Sequence, residues 1–201
     1  MVNVYNAPLE QHPWPPFIPA HARFLIMGTF PPQPHRWSMN FYYPNRTNDF
    51  WRVMGLIYFG DAEALYIPGT KSFDLNEIKT LLNREGIALS DTGKKIRRLQ
   101  GNASDKFLEI VEPVDLDALI HKMPALTDIA TTGEKAAGVI ALITGTTIPS
   151  VGQYVEFEYG EPLRRFRHWR MPSTSRAYPL PLARKAEFYA RMLNDPSYRY
   201  K

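Results

Sequence analysis

The sequence predicts an α/β protein of three layers, αβα, in which helices cover both faces of a central, mostly parallel sheet. One observation is that apolar segments of strand length alternate along the chain with segments of helical periodicity, an order typical of parallel strands joined by helices. A second is residues 23–28, RFLIMG, a continuous apolar run that ends in glycine. Such a run is typical of a strand buried on both faces.

The first elements follow from local patterns. Residues 1–22 are rich in proline and aromatic residues, so we expect an irregular extension that packs on the domain. The strand at 23–28 leads into a proline-rich loop that runs to about residue 46. Thr47 is then the predicted N-cap of a helix over residues 48–59, where apolar side chains recur at helical spacing.

Later elements complete the alternation. A helix is predicted over 74–85, with its apolar residues on one stripe and Gly86 as its stop. The remaining predictions are a strand at 87–90, a helix at 114–123, a strand at 126–131, a helix to about 143, a hairpin of 154–159 with 163–171, and a closing helix at 181–193. Ligands of such sheets bind beyond the carboxyl ends of the strands, which points to the loops after Gly28 and Met171.

Composition limits the classes of site. The chain has 201 residues, 44% hydrophobic and 22% charged, so we expect residues 1–201 to form one domain. It has no cysteine, which excludes disulfides, a thiol nucleophile and thiolate metal sites. Its five histidines lack metal-ligand spacing, so we expect no metal and no other cofactor. No apolar stretch reaches the roughly 20 residues of a membrane span, and no signal peptide is apparent, so we expect a cytoplasmic protein without membrane contact. We also expect a monomer.

The charge balance is mildly basic. Lysine and arginine outnumber aspartate and glutamate by 24 − 20 = 4, which permits a polyanionic partner without establishing one. Two basic runs, residues 94–98 (KKIRR) and 164–170 (RRFRHWR), could either follow phosphates or form solvated faces. The second run does not separate cleanly into residues that would face the core and residues that would face solvent, which slightly favours a functional edge.

The first candidate motif follows the first strand and consists of Gly28, Thr29, Phe30 and Pro31. Glycine lets a ligand approach the backbone, and the prolines stiffen the loop. Taken alone, a structural turn explains this motif more readily than a binding loop.

The second candidate motif is residues 41–51, FYYPNRTNDFW, where three aromatics precede a polar turn that opens a helix. An aromatic side chain here could stack on a planar base, and the amides at a helix N-terminus favour anionic groups. Alternatively, the aromatics belong to the core and Asn48 merely caps the helix.

The third candidate motif is residues 171–176, MPSTSR, a hydroxyl-rich loop after a strand. Its amides and hydroxyls could bind phosphates. In isolation, an ordinary Ser/Thr turn is the simpler interpretation.

Together and in this order, the three motifs resemble the uracil-DNA glycosylase superfamily, and most closely its hypoxanthine-DNA glycosylase branch. That branch has a Gly-Ser-Phe-Pro first loop, a Phe-Tyr-Tyr entry to the second and Met-Pro-Ser-Thr-Ser at the end. The resemblance covers about residues 23–189 and includes residues 86–91, GIALSD. It implies a uracil-DNA glycosylase-like fold and a monofunctional DNA repair enzyme, which hydrolyses the N-glycosidic bond of hypoxanthine or uracil in DNA after base flipping.

The resemblance also implies roles by position. Asn48 corresponds to the essential catalytic asparagine, in contact with base or water, and Tyr43 would stack on the extruded base. The other base-binding positions are Phe50 and the first-loop residues Gly28, Thr29, Phe30 and Pro31. The last loop would hold the DNA backbone and fill the gap left by the base, through Met171, Pro172, Ser173, Thr174, Ser175 and Arg176.

The chain departs from the uracil-specific relatives at two positions. They place Asp or Asn where this chain has Phe30, and many have His where it has Met171. The hypoxanthine branch shares both departures, which shifts the catalytic burden to Asn48 and backbone dipoles. Residues 44–47, PNRT, also depart from the usual Gly-His-Pro pattern. Two alternatives stay open: a non-catalytic damaged-DNA-binding protein with this fold, and a small-molecule hydrolase on a similar frame.

Overall fold

The computed structural model describes residues 7–99 and 107–194, and the first six residues of the predicted N-terminal extension lie outside these ranges. In chain order the elements are β1 (Leu9–Gln11), β2 (Phe24–Gly28), α1 (Phe50–Phe59), α2 (Leu75–Glu85), β3 (Ile87–Asp91), β4 (Gly93–Arg98), β5 (Leu108–Pro113), α3 (Leu116–His121), β6 (Asp128–Thr131), α4 (Glu134–Thr144), β7 (Tyr154–Tyr159), β8 (Arg164–Arg170) and α5 (Leu182–Leu193).

The central sheet has five strands in the order β3-β2-β6-β8-β7. All neighbouring pairs are parallel except β7 and β8, which form the antiparallel hairpin expected at one edge. This arrangement confirms the predicted mostly parallel sheet. It brings the carboxyl ends of β2, β3, β6 and β8 to one edge of the sheet, where the three motif loops begin or meet.

Alternate residues of β2 face two different hydrophobic cores. Phe24 and Ile26 pack with buried residues of α1, α2 and α5, whereas Leu25 and Met27 pack with buried residues of α3 and α4. The five residues of β2 are all buried, as the continuous apolar run predicts. Helices therefore cover both faces of the sheet, and the three-layer αβα prediction is confirmed.

Helix α2 begins and ends close to the residues that its capping signals predict. The Asp74 carboxylate accepts the N–H of Glu77 as an N-cap, and Gly86 ends the helix with a φ of 66°. Helix α1, by contrast, begins at Phe50 rather than at residue 48, and its N-cap is Asp49 rather than Thr47. The prediction fails because the Asn48 side chain accepts the N–H of Phe50, which forms a turn ahead of the helix.

A second, antiparallel sheet of the order β1-β4-β5 was not predicted. The extension over residues 1–22 is therefore not wholly irregular, because Leu9–Gln11 pair with β4. The predicted helix at 114–123 is shorter, since β5 occupies the residues before it and Asp115 caps α3. The strand predicted at 126–131 likewise begins only at Asp128.

The two basic runs are largely occupied by partners within the chain. In β4, Lys94 and Lys95 both pair with Glu112, at 2.6 Å each. The second run forms β8, an inner strand rather than an edge. Its Arg167 pairs with the buried Asp128 at 2.7 Å, and its Arg164 donates to four carbonyls around the end of α3. The charged side chains of these two runs therefore stabilise the fold more than they provide a surface for binding phosphates.

Across the described parts of the chain, no helix is long and apolar enough to cross a membrane.

Candidate active site

The three motif loops meet in a single cleft of about 690 Å³ at the carboxyl edge of the sheet. From the sequence-predicted site, the residues that line it are Gly28, Thr29, Phe30, Pro31, Tyr43, Asn48, Ser173, Thr174, Ser175 and Arg176. Phe50, Met171 and Pro172 do not line it. Segments more than 120 residues apart in sequence thus converge on one site, a result that no single motif predicted.

The first loop is fixed by the strand beside it. The N–H groups of Thr92 and Gly93 donate to the carbonyls of Gly28 and Thr29, at 2.9 Å each. Gly28 lies opposite Asp91 in the parallel pair of β2 and β3. A Cβ on residue 28 would lie 2.7 Å from Oδ1 of Asp91, so a larger residue here would displace the Asp91 carboxylate.

Tyr43 lines the cleft in an unusual backbone conformation. Its φ of 51° is the only positive value at a non-glycine residue in the described ranges. Its ring stacks on Phe50, with centroids 3.8 Å apart and planes 15° apart, and its hydroxyl lies 3.1 Å from Oγ1 of Thr132. Burial raises the pKa of the Tyr43 hydroxyl well above its ordinary value, so the ring is neutral at physiological pH.

Phe50 supports Tyr43 by stacking on one face of its ring. It is fully buried, and its ring also meets Trp51 and Tyr189 in edge-to-face contacts. Its place in the site is therefore to hold the Tyr43 ring, because its own surface does not reach the cleft.

Asn48 is half-buried at the cleft and held in one orientation. Its backbone N–H donates to Asn45, and its Oδ1 accepts the N–H of Phe50 at 2.9 Å. Because that N–H requires an acceptor, the amide oxygen must face it. The amide nitrogen is then the part of the side chain that a ligand can use, and it is a hydrogen-bond donor.

The last loop is anchored through its carbonyls. Pro172 accepts the Tyr189 hydroxyl at 3.1 Å, and Thr174 accepts the N–H of Asp49 at 2.8 Å. Ser175 accepts Nζ of Lys185, also at 2.8 Å. Because these carbonyls are bound within the protein, side chains form the outer surface of the loop.

The side chains of the last loop divide into two groups. Met171, Pro172 and Thr174 are buried, while Ser173 is half-buried and Ser175 and Arg176 are exposed. Met171 packs in the core with α1 and α5, so in this conformation its side chain cannot fill a gap in DNA. Met171 and Pro172 border a neighbouring cleft of about 430 Å³, which shares Ser173 and Tyr178 with the first.

The sequence analysis missed several residues of the cleft. Asp91 and Thr132 lie at the ends of β3 and β6, and Arg36 and Tyr178 line the cleft from flanking loops. Asp91 could have been found, because it ends a segment within the resemblance and parallel pairing sets it beside Gly28. Arg36 and Arg176 give the cleft two exposed cations, whereas Asp91 gives it a carboxylate that is only 8% exposed.

Within residues 7–99 and 107–194, no group of three or more His, Cys, Asp or Glu side chains could hold a metal ion.

Comparisons with known proteins find a solved structure with a similar fold. No family model and no curated protein matches the chain. A solution NMR structure of a candidate uracil DNA glycosylase from Methanosarcina acetivorans does match, with a TM-score of 0.62 and 22% sequence identity over 93% of this chain and 99% of that chain. The two proteins share a fold. At this identity the chemistry of the cleft must be argued from its own residues.

Proposed function

We propose that this protein is a DNA glycosylase, which hydrolyses the N-glycosidic bond of a deaminated base, hypoxanthine or uracil, in DNA. The observation that carries the proposal is that Tyr43 and Asn48 line one cleft between the first and last motif loops. An aromatic ring beside a fixed amide donor suits a planar, hydrogen-bonding ligand.

The size of the cleft suits a flipped nucleotide. Its volume of about 690 Å³ admits a purine or a pyrimidine with its sugar. The glycosidic bond is hidden in a duplex, so the nucleotide must rotate out of the stack at a cost of a few kcal/mol, which is lower for a damaged base. Tyr43 would offset part of that cost, since a base stacked on an aromatic ring gains about 1–3 kcal/mol.

Asn48 would act on the departing base. Cleavage of the bond leaves negative charge on the base and positive charge on the sugar. With Oδ1 bound to the N–H of Phe50, Asn48 offers its amide N–H groups to the base as the charge develops. One fixed donor of this kind commonly accounts for about 10²- to 10³-fold in rate.

The rim of the cleft would bind the DNA backbone. Ser173 and Ser175 provide hydroxyls and Arg176 provides an exposed guanidinium, on a loop whose carbonyls are already engaged. Arg36 supplies a second exposed cation from the first loop. Such contacts position the strand without reading its sequence.

The test is base release from labelled oligonucleotides that contain hypoxanthine, uracil or xanthine, single-stranded and opposite each normal base. Wild type is compared with Asn48→Asp, which keeps an acceptor for the Phe50 N–H but removes the amide donor. We expect release by wild type and a loss of about 100-fold or more in the variant, with the melting temperature nearly unchanged. Equal release by both proteins would refute the role of Asn48.

Two other outcomes would replace the proposal. Selective binding of a lesion duplex without release would identify a damage-binding protein, a function that Phe30 favours because the first loop then offers no carboxylate or amide side chain to orient water. Neither binding nor release would leave a small-molecule hydrolase as the better candidate.

A further inference from the structure

A buried arginine of the second sheet is bonded to the first motif loop. Nη2 of Arg98, the last residue of β4, donates to the carbonyl of Pro31 at 3.2 Å, and its guanidinium carbon lies 5.9 Å from the centre of the Phe30 ring. Phe30 and Pro31 line the cleft, whereas Arg98 is not among the described residues that do so. Its side chain is only 4% exposed, so in this conformation it cannot reach a DNA phosphate.

Glu10 of β1 fixes the direction in which Arg98 donates. Its carboxylate accepts the N–H of Nε at 3.0 Å and one N–H of Nη2 at 2.9 Å, so the pair is bidentate. A guanidinium is planar and its N–H groups have fixed directions. With one hydrogen of Nη2 on Glu10, the other hydrogen is the one that faces Pro31. An acidic residue 88 positions away in sequence therefore directs one N–H of Arg98 to the loop.

The carbonyls of the first loop are turned toward the protein. Those of Gly28 and Thr29 accept backbone N–H groups from the start of the β3–β4 connection and of β4, and that of Pro32 accepts Nε1 of Trp37 at 2.7 Å. Pro31 accepts the charged donor of the four. A carbonyl oxygen is the negative end of its peptide dipole, so these four contacts draw negative partial charge away from the cleft.

The orientation of the loop matters most as the base departs. Phe30 gives the loop no polar side chain, so the loop acts on a base through its ring and its backbone dipoles. Negative charge grows on the base only as the glycosidic bond breaks, and a loop carbonyl turned toward it would oppose that charge. Such a carbonyl would slow the chemical step while the neutral base still binds, because the repulsion arises in the transition state.

We infer that Arg98 is a positioning residue of the active site, which keeps the Pro31 carbonyl away from the departing base, and that Glu10 acts through it. The inference rests on the proposed function. It gives the N-terminal segment, which precedes the region of family resemblance, a part in excision. His12, just after β1, meets the edge of the Phe30 ring with centroids 5.3 Å apart, so this segment supports the loop at a second point.

The test separates kcat from KM for base release from a lesion duplex. Arg98→Met removes the donor, Arg98→Lys keeps the charge without the planar fork, and Glu10→Ala leaves the guanidinium without its carboxylate. We expect each variant to lower kcat, Arg98→Met by about 10- to 100-fold, with KM within about twofold of wild type. The control is Arg97→Gln, the adjacent residue of β4, which pairs with Glu109 at 3.5 Å and should leave both constants unchanged.

Two further measurements test the contacts themselves. If Glu10 acts through Arg98, Glu10→Ala should cause no further loss of kcat in the Arg98→Met background, whereas losses that multiply would overturn its role. Carbon-detected NMR follows the carbonyl carbon of Pro31, whose resonance moves when its hydrogen bond is lost. We expect it to move in Arg98→Met and to stay in place in Arg97→Gln, and this readout requires no base release.

The outcomes separate the inference from the proposed function. Release by wild type with an unchanged kcat in Arg98→Met overturns the inference and leaves the glycosylase intact. A rise in KM as large as the fall in kcat overturns it as well, because the effect would then lie in binding. No release by wild type overturns the enzyme, and the Pro31 resonance then supports the contact if it moves and overturns it if it does not.

Stability is controlled in the same experiment. Reactions are run well below the melting temperature of each variant, so a lower kcat does not reflect unfolded protein. If Arg98→Met does not fold, Arg98→Lys carries the same test, since it retains a cation beside Glu10. Wild-type kcat in Arg98→Lys would overturn the need for a directed N–H at the loop.

Discussion

Nζ of Lys185 lies 2.9 Å from Oδ2 of Asp49, in an ion pair whose ammonium is 1% exposed. The same ammonium donates to the carbonyl of Ser175 at 2.8 Å. Asp49 directly follows Asn48, so one buried charge on α5 joins the residue that carries the proposed donor to the loop proposed to hold DNA. Lys185 therefore adds to the direct hydrogen bond from the Asp49 N–H to the Thr174 carbonyl in fixing the relative placement of these two loops.

Removal of this ammonium should destabilise the protein strongly. Lys185→Met removes the nearest cation from the largely buried Asp49 carboxylate and leaves only the more distant Arg176 and Arg52, at 3.9 and 4.0 Å. We expect a loss of about 3 kcal/mol in the free energy of unfolding, the lower end of the cost of breaking a buried ion pair. Urea unfolding followed by circular dichroism measures it. The control is Arg184→Met, an exposed neighbour that pairs with Glu187 on the helix surface, which should change stability by less than about 0.5 kcal/mol. Similar values for the two variants would contradict the importance of the pair.

The Tyr43 ring should contribute to binding of a lesion duplex. We expect Tyr43→Ala to weaken affinity by about 1–3 kcal/mol, the usual value of base stacking on an aromatic ring. Tyr43→Phe removes only the hydroxyl that meets Thr132, so it should retain most of the affinity. Titrations at one fixed salt concentration measure both. Unchanged affinity in the alanine variant would mean that Tyr43 serves the core alone.

A side chain at position 28 should impair excision. In Gly28→Ala, the new Cβ would lie 2.7 Å from Oδ1 of Asp91 and 3.5 Å from the Tyr43 hydroxyl, so one of these groups must move. We expect excision to fall on the order of 10- to 100-fold, because small displacements in a site are costly. The control Gly138→Ala meets only Ile148 at 3.7 Å, within a helix, and should leave excision unchanged. A fully active Gly28→Ala enzyme would show that the close approach is not needed.

His168 should make the protein less stable in mild acid. Burial lowers its pKa to about 4, whereas an unfolded histidine titrates near ~6.5. Between these values the unfolded chain binds more protons, so the free energy of unfolding falls as pH falls, by about 3 kcal/mol in total. Urea unfolding from pH 7 to pH 4 should show a shallower fall for His168→Phe than for wild type.

The control for this pH effect is His35→Gln, at an exposed position. It should retain the slope of wild type. Equal slopes for wild type and His168→Phe would mean that another group governs stability in this range.

The central sheet was predictable because its signals are local. The apolar run of β2 and the caps of α2 lie within a few residues of the structure that they determine. The second sheet carries no such signal, since β1 pairs with a partner 88 residues away, Leu9 with Arg97. The charged residues of β4 resembled a solvated face, although their partners are glutamates of β5 and β1.

The same distinction applies to the cleft. Tyr43 and Asn48 stand in motifs whose order and spacing point to a site. His12 stands in a proline-rich segment, and nothing near it in sequence indicates that it bonds to Asp91. Such a contact depends on how β1 docks on β4, which only the folded chain reveals.

The left-handed backbone of Tyr43 bears on attempts to make this protein more heat-resistant. A residue with a Cβ at this φ costs about 1 kcal/mol relative to glycine, so Tyr43→Gly would relieve the backbone. It would also remove the ring that covers Phe50 and faces the cleft. The loss of that stacked ring would cost about 3 kcal/mol, more than the backbone gains. Directed evolution toward heat resistance and directed evolution toward excision would thus both retain an aromatic residue at this position, in spite of its strained backbone.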